Sequence, residues 1–92
     1  GDVIVIDVRP SDEYEAAHLP FARSIPLAEL KRRIGELPPE KSIVAYCRGP
    51  FCVMSDAAVG LLRKRGFDAR KTTDGVGEWR AAGMPVESRG TP

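Results

Sequence analysis

The segment that most constrains the fold is a short apolar run that ends in a cysteine. Residues 43–46 (Ile-Val-Ala-Tyr) form the run, Cys47 follows, and a loop with Gly49 and Pro50 leads into a segment of helical periodicity. The pattern predicts a loop between the end of a strand and the start of a helix. Free backbone N–H groups and the positive end of a helix dipole favour a thiolate there, so the loop is a suitable place for a nucleophilic cysteine.

Length and composition describe one small, ordinary globular domain. The chain has 92 residues, of which 42% are hydrophobic and 29% charged, and this length supports a single modest core. Fourteen Lys and Arg oppose thirteen Asp and Glu, a net charge of +1, so no polyelectrolyte partner is implied. Basic clusters at residues 31–33 and 63–65 lie late in predicted helices, where a solvated face is favoured over contact with nucleic acid.

The cysteine and histidine content argues against two other classes of protein. Two cysteines five positions apart do not resemble a secreted disulfide framework, and with His18 alone they are too few for a structural zinc site. The sequence has no apolar run long enough to span a membrane and no secretory signal pattern. We therefore expect a cytoplasmic protein without a metal and without membrane association.

Strand and helix patterns alternate along the chain, which predicts an α/β fold with a mainly parallel sheet flanked by helices. The predicted strands cover residues 3–8, 42–46 and, more weakly and nearer an edge, 67–72. A short helix is expected from an N-cap at Ser11 to about residue 17, and residues 18–26 read as an irregular connection. A second helix over 27–34 ends at Gly35, and a last short helix carries Trp79. The third helix stops at Gly66, and its predicted apolar face consists of Val53, Met54, Ala57, Ala58, Leu61 and Leu62.

The residues of the loop suit sulfur chemistry. Successive backbone N–H groups can stabilise a thiolate or an attached anionic sulfur atom. Gly49 permits unusual backbone angles, Pro50 stiffens the loop, and Arg48 supplies a positive charge for an anionic donor. Such a nucleophile can attack a sulfane sulfur, keep it as a persulfide and pass it on. The alternative is that Cys47 is a small, buried and inert residue at a strand end.

Three segments, in order along the chain, resemble the rhodanese family. The first comprises residues 7–9, 13–14, 18–20 and 25–26; the second is the loop 47–52; the third comprises residues 74–75, 79, 82–83 and 85–86. Together they span roughly residues 3 to 86.

The resemblance implies a small rhodanese-like domain and a sulfurtransferase that cycles through a persulfide on Cys47. Donors in the family include thiosulfate and other sulfane-sulfur compounds, and acceptors include cyanide and cellular thiols. It implies no metal or organic cofactor. The substrate-binding positions carried over from the family's loop are Arg48, Gly49, Pro50, Phe51, Cys52 and Val53.

The chain departs from the family pattern at two places. The strand and helix that usually precede the first segment are absent, so we expect residues 1–92 to be a single domain excised from a longer protein, with a core over about 3–86 and a tail over 87–92. The last loop position, often basic in members that use thiosulfate, is Cys52. The loop is similar to that of rhodanese domains fused to repressors of the arsenic-repressor type, so a fused DNA-binding domain is a possible partner, with no nucleic-acid contact by this domain itself.

Cys52 leaves two alternatives open. It can close a disulfide with Cys47 and release sulfide, which would make the domain a redox or sulfide-sensing module, or it can be a packed small residue. His18 is interpreted as structural because a thiolate nucleophile needs no base. Asp7 and Arg9 are expected to brace the strand ends. Val53 occupies the position of a phosphate-binding arginine in cysteine-dependent phosphatases, which disfavours a phosphatase.

Overall fold

The computed structural model of the chain describes residues 3–49, 52–72 and 74–88. In chain order its elements are β1 (Val3–Asp7), α1 (Ser11–Ala16), β2 (Arg23–Ser24), α2 (Leu27–Arg33), a 3₁₀ turn (Ile34–Glu36), β3 (Ser42–Tyr46), α3 (Met54–Lys64), β4 (Ala69–Lys71) and α4 (Val76–Ala81). Among these residues, no helix has the length and apolar content needed to cross a membrane.

The four strands form one parallel sheet in the order β2-β1-β3-β4. β1 and β3 are central and pair along their whole length, from Val3 opposite Ser42 to Asp7 opposite Tyr46. β4 lies at an edge, as predicted. Because parallel strands all end at the same side of the sheet, the segments after β1, β3 and β4 meet there. The predicted α/β class is confirmed.

Alternation along β1 and β3 sends side chains to two different cores. On one face Ile4, Ile6, Ile43 and Ala45 pack beneath the helices α2 and α3. The opposite face is closed at the carboxyl ends of the strands by a second cluster, which contains Tyr14, Leu19, Ala22 and Tyr46. At the amino end of that face Val3 is 49% exposed. β1 is therefore buried on both faces only toward its carboxyl end.

Several predicted boundaries are wrong. Pro10, not Ser11, is the N-cap of α1, and no side chain caps that helix. The connection predicted to be irregular contains β2, which extends the sheet through pairs such as Ile6 with Arg23. Glu87, which the sequence analysis assigns to the tail, forms an antiparallel bridge with His18.

The apolar face of α3 is rotated relative to the prediction. Val53 precedes the helix as its N-cap and is 72% exposed, and Ala57 is also exposed. The buried positions are Ser55, Ala58, Val59 and Leu62, a spacing that defines one helical stripe. The helix end was predicted correctly: Gly66 has a φ of +89°, the left-handed conformation that glycine adopts most readily after a helix.

Candidate active site

Cys47 lies at the carboxyl end of the central strand β3 and immediately follows its last residue, Tyr46. Its side chain is nearly enclosed, at 2% exposure, and belongs to the core beneath α2 and α3. The loop then turns back, since the backbone N–H of Cys52 donates to the carbonyl oxygen of Gly49 at 3.2 Å. α3 begins two residues later, at Met54. The expected arrangement of strand, cysteine loop and helix start is present.

Cys47 and Cys52 form a disulfide, with their Cα atoms 6.1 Å apart. This separation lies within the range that disulfides span without distorting the backbone. The sequence left open whether two cysteines in so short a loop could meet, and the structure brings them together. Cys52 is also partly buried against the main core, so pairing and packing are both features of this residue.

Arg48, which we expected to supply a positive charge for an anionic donor, forms an ion pair with Glu13 on α1. Its Nε donates to Oε1 of Glu13 at 2.9 Å and its Nη2 to Oε2 at 2.6 Å. The hydrogen bonds to Arg48 lower the pKa of Glu13, and those to Glu13 raise the pKa of Arg48. Sequence reasoning missed this pair. The signal was available, because α1 follows β1, the loop follows β3, and neighbouring parallel strands end side by side.

The start of α4 packs directly against the loop. A Cβ atom on Gly75 would lie 2.7 Å from the carbonyl oxygen of Arg48 and 2.8 Å from that of Cys47, so only glycine fits. The N–H of Gly75 donates to Oε1 of Glu78 at 2.9 Å, and the other oxygen of that carboxylate lies 3.3 Å from where a Cβ on Gly49 would be. Gly49 itself does not have a positive φ. What its missing side chain provides is room for the carboxylate of Glu78.

A buried network around Asp7 braces the strand ends behind the loop, which confirms the prediction for Asp7 and Arg9. The Asp7 carboxylate, fully buried, accepts from the backbone N–H and guanidinium of Arg9 at 2.6–3.1 Å and from the Tyr46 hydroxyl at 2.8 Å. Tyr46 in turn accepts from the backbone N–H of Leu19 at 3.1 Å, and Arg9 donates to the Ala17 carbonyl at 2.7 Å. β1, β3 and the connection after α1 are thereby joined.

Two groups of this network, Tyr46 and Arg9, have raised pKa values. Burial raises the pKa of Tyr46, so its hydroxyl stays protonated and donates to Asp7. Burial alone would lower the pKa of Arg9, but its hydrogen bonds and charge interaction with Asp7 outweigh burial and raise it. The guanidinium of Arg9 therefore stays charged.

His18 and Trp79, which the sequence analysis also named, lie outside the loop. His18 is 2% exposed, stacks on the ring of Tyr14 and places Nδ1 2.6 Å from the Tyr14 carbonyl oxygen, so its contacts are structural. Trp79 is only partly buried and donates to the Pro85 carbonyl at 2.7 Å. Val53 is exposed at the end of the loop. Pro50 and Phe51 lie outside the described residues.

A cleft of about 470 Å³ opens beside the first residue of α3. It lies between the starts of three helices at the carboxyl end of β1, and its lining is apolar apart from Ser11 and Glu29: Val8, Pro10, Pro26, Leu27, Ala28 and Met54. In the part of the chain that the structure describes, no group of three or more His, Cys, Asp or Glu side chains could hold a metal ion.

Comparison with known proteins identifies the class. The family model for the rhodanese-like domain matches residues 1–82, and the chain belongs to the rhodanese-like domain family. The fold agrees: the crystal structure of a rhodanese-like domain of the Alr3790 protein from Anabaena superimposes with a TM-score of 0.84 and 28% identity, over 98% of this chain and 96% of that one. The family resemblance read from the sequence is confirmed.

Two curated relatives show the contexts in which such a domain occurs. "HTH-type transcriptional regulator Rv0324" of Mycobacterium tuberculosis is 49% identical over 95% of this chain, which spans 38% of that protein. A protein named "Sulfurtransferase" from Allochromatium vinosum is 27% identical over 92% of this chain and 78% of its own length. The chain spans 38%, 48% and 33% of the first three curated relatives it matches.

Because the Asp7–Arg9 ion pair is buried, we expect two Asp→Asn substitutions to differ strongly in the free energy of unfolding that they remove. Asp7→Asn leaves the guanidinium of buried Arg9 without its counter-ion, and we expect it to lower the free energy of unfolding by about 3–5 kcal/mol. Asp56→Asn breaks the exposed ion pair with Lys71 and should cost about 1 kcal/mol or less. Urea denaturation followed by the fluorescence of Trp79 measures both. Equal losses in the two variants would contradict the bracing role of Asp7.

Proposed function

We propose that this chain is a sulfurtransferase in which Cys47 carries sulfane sulfur as a persulfide. The observation that carries the proposal is the position of Cys47, directly after the central strand β3 in a loop that runs into the start of α3. Membership of the rhodanese-like family and the relative named as a sulfurtransferase support it.

The first half-reaction loads the cysteine and begins from the reduced loop. The Cys47 thiolate attacks the outer sulfur of a donor, either thiosulfate or a persulfide R–S–SH. A new S–S bond to Cys47 forms while the donor's S–S bond breaks, and sulfite or the thiolate R–S⁻ leaves with the electron pair. The positive end of the α3 dipole stabilises the negative sulfur before and after the transfer.

The second half-reaction returns Cys47 to the thiolate. A thiolate or cyanide attacks the outer persulfide sulfur, the bond between the two sulfurs breaks, and the acceptor leaves as a persulfide or as thiocyanate. In this scheme the loop residues Arg48, Gly49, Pro50, Phe51, Cys52 and Val53 form the donor and acceptor site. No cofactor takes part, since each step is a displacement at sulfur.

The cellular setting follows from the chemistry. We propose that the domain works in the cytoplasm, where thiol pools keep Cys47 and Cys52 reduced. The similarity to the mycobacterial regulator supports a parent protein in which a separate domain binds DNA and this domain handles sulfur.

Steady-state kinetics on two cysteine variants tests the proposal. We expect Cys47→Ser to reduce transfer from a low-molecular-weight persulfide to the uncatalysed rate, because serine forms no persulfide. Cys52→Ser, the matched control in the same loop, should retain transfer to an external thiol. Thiosulfate and 3-mercaptopyruvate are run in parallel as alternative donors. Undiminished transfer by Cys47→Ser would overturn the proposal.

The disulfide between Cys47 and Cys52 favours a second candidate, a sulfide- or persulfide-sensing module of a transcriptional regulator. Here the Cys52 thiolate attacks the Cys47 sulfur of the persulfide, a Cys47–Cys52 bond forms, and HS⁻ leaves with the electron pair. The sulfane sulfur is the oxidant, and two equivalents of a cellular thiol reduce the disulfide again. The loop thereby alternates between an open dithiol and a closed disulfide.

Sulfide release distinguishes the second candidate from simple transfer. When the reduced protein receives one equivalent of persulfide without an acceptor, the switch predicts about one equivalent of free sulfide and a Cys47–Cys52 peptide pair in mass mapping. Cys52→Ser should instead retain the added sulfur on Cys47. If the wild type also holds the sulfur and never forms the disulfide, the two-cysteine switch is wrong.

A further inference from the structure

The cations at the carboxyl ends of the strands are paired with carboxylates of the protein, which affects the charge of the sulfur donor that the site can bind. One cation lies at or just beyond the end of each of three strands: Arg9 after β1, Arg48 after β3 and Lys71 at the end of β4. Each contacts a carboxylate: Arg9 contacts Asp7, Arg48 contacts Glu13 and Lys71 contacts Asp56. These cations are therefore already neutralised by partners within the protein.

Glu78 adds a fourth carboxylate next to the loop. One of its oxygens caps the start of α4 through the Gly75 N–H, and the other lies against Gly49. The groups named so far are four carboxylates and three cations, and Asp12 on α1 and Asp74 next to Gly75 add two further carboxylates. By sequence, the loop positions Pro50, Phe51 and Cys52 carry no charge.

With its cations already paired, the site can stabilise a single negative charge on sulfur but not a dianionic donor. The dipole of α3 provides roughly half a positive charge near the loop, enough to favour a thiolate or persulfide sulfur. A thiosulfate dianion brings a sulfonate that must be matched by a further cation, and Arg48 can reach it only by leaving two short hydrogen bonds to Glu13. The apolar cleft beside Met54 supplies no cation among its lining residues.

We propose that Glu13 and Glu78 set the donor selectivity of this site, excluding dianionic thiosulfate and favouring a persulfide group in neutral or cationic surroundings. The inference rests on the proposed sulfur transfer by Cys47. Glu13 acts by neutralising the loop cation Arg48, and Glu78 acts by its charge beside Gly49.

Substitutions that remove the charge of Glu13 or Glu78 but keep its hydrogen-bond acceptor distinguish a role in donor selectivity from a structural role. Glu13→Gln and Glu78→Gln keep an acceptor oxygen for Arg48 and for the Gly75 N–H but remove the charge. Glu15→Gln, at an exposed position on the same helix as Glu13, is the matched control with the same change in net charge. The donors are thiosulfate, the persulfide of cysteamine, which carries an ammonium group, and the neutral persulfide of 2-mercaptoethanol.

We expect kcat/KM to change in opposite directions for the anionic and the cationic donor, a result that we call the crossover. For each of the two variants, kcat/KM for thiosulfate should rise about threefold to tenfold, that for cysteamine persulfide should fall by a similar factor, and that for the neutral persulfide should change less than about twofold. The crossover should shrink at about 1 M salt, where the Debye length is short. Glu15→Gln should leave all three values within about twofold of wild type.

Two results would overturn the inference. If all three donors change in the same direction, the carboxylates act on loop structure, and the selectivity role is wrong while sulfur transfer by Cys47 stands. If thiosulfate already matches the neutral persulfide in wild type, the site does not exclude the dianion. Failure of every donor to load sulfur on wild-type Cys47 would instead overturn the proposed function itself, and this inference with it.

Discussion

The rest of the site depends on the hydrogen bonds that the buried carboxylate of Asp7 accepts. The carboxylate is fully buried where the two central strands end, and it accepts hydrogen bonds from Arg9 and from the Tyr46 hydroxyl. Tyr46 is the residue immediately before Cys47, so the same contact that pairs the ends of β1 and β3 also fixes the start of the cysteine loop. The buried charge of Asp7 is tolerated because Arg9 is its counter-ion and both carboxylate oxygens accept hydrogen bonds.

The loop is held from two further directions. Glu13 on α1 fixes Arg48, and Gly75 at the start of α4 packs against the carbonyl oxygens of Cys47 and Arg48. The elements that follow β1 and β4 therefore both contact the loop that follows β3. This is a consequence of the parallel sheet, because only parallel strands bring all of their carboxyl ends to the same side. The fold positions Cys47. Carboxylates from neighbouring elements, Glu13 and Glu78, set the net charge beside it.

Local sequence patterns were sufficient for the fold class and for the position of Cys47. The β-branched runs, the cysteine at the end of 43–46 and Gly66 after α3 are all local signals, and the structure agrees with each. Contacts between distant segments were not predictable in the same way. The Arg48–Glu13 pair spans 35 positions, and the space that Gly49 leaves for Glu78 depends on how α4 packs. Val53 was misplaced because an apolar residue at a helix start fits the periodicity whether it lies just inside the helix or just before it.

The central claim is that Cys47 accepts and holds sulfane sulfur, and peptide mass mapping of the Cys52→Ser variant tests it most directly. In that variant Cys47 is the one remaining cysteine of the chain, so a disulfide within the chain cannot remove the added sulfur. After reduction, exposure to a low-molecular-weight persulfide and alkylation, the account predicts that the peptide containing Cys47 gains the mass of one sulfur atom, and that it lacks this mass when cyanide is added before the alkylation. A Cys47 peptide that never gains sulfur under these conditions would contradict the account.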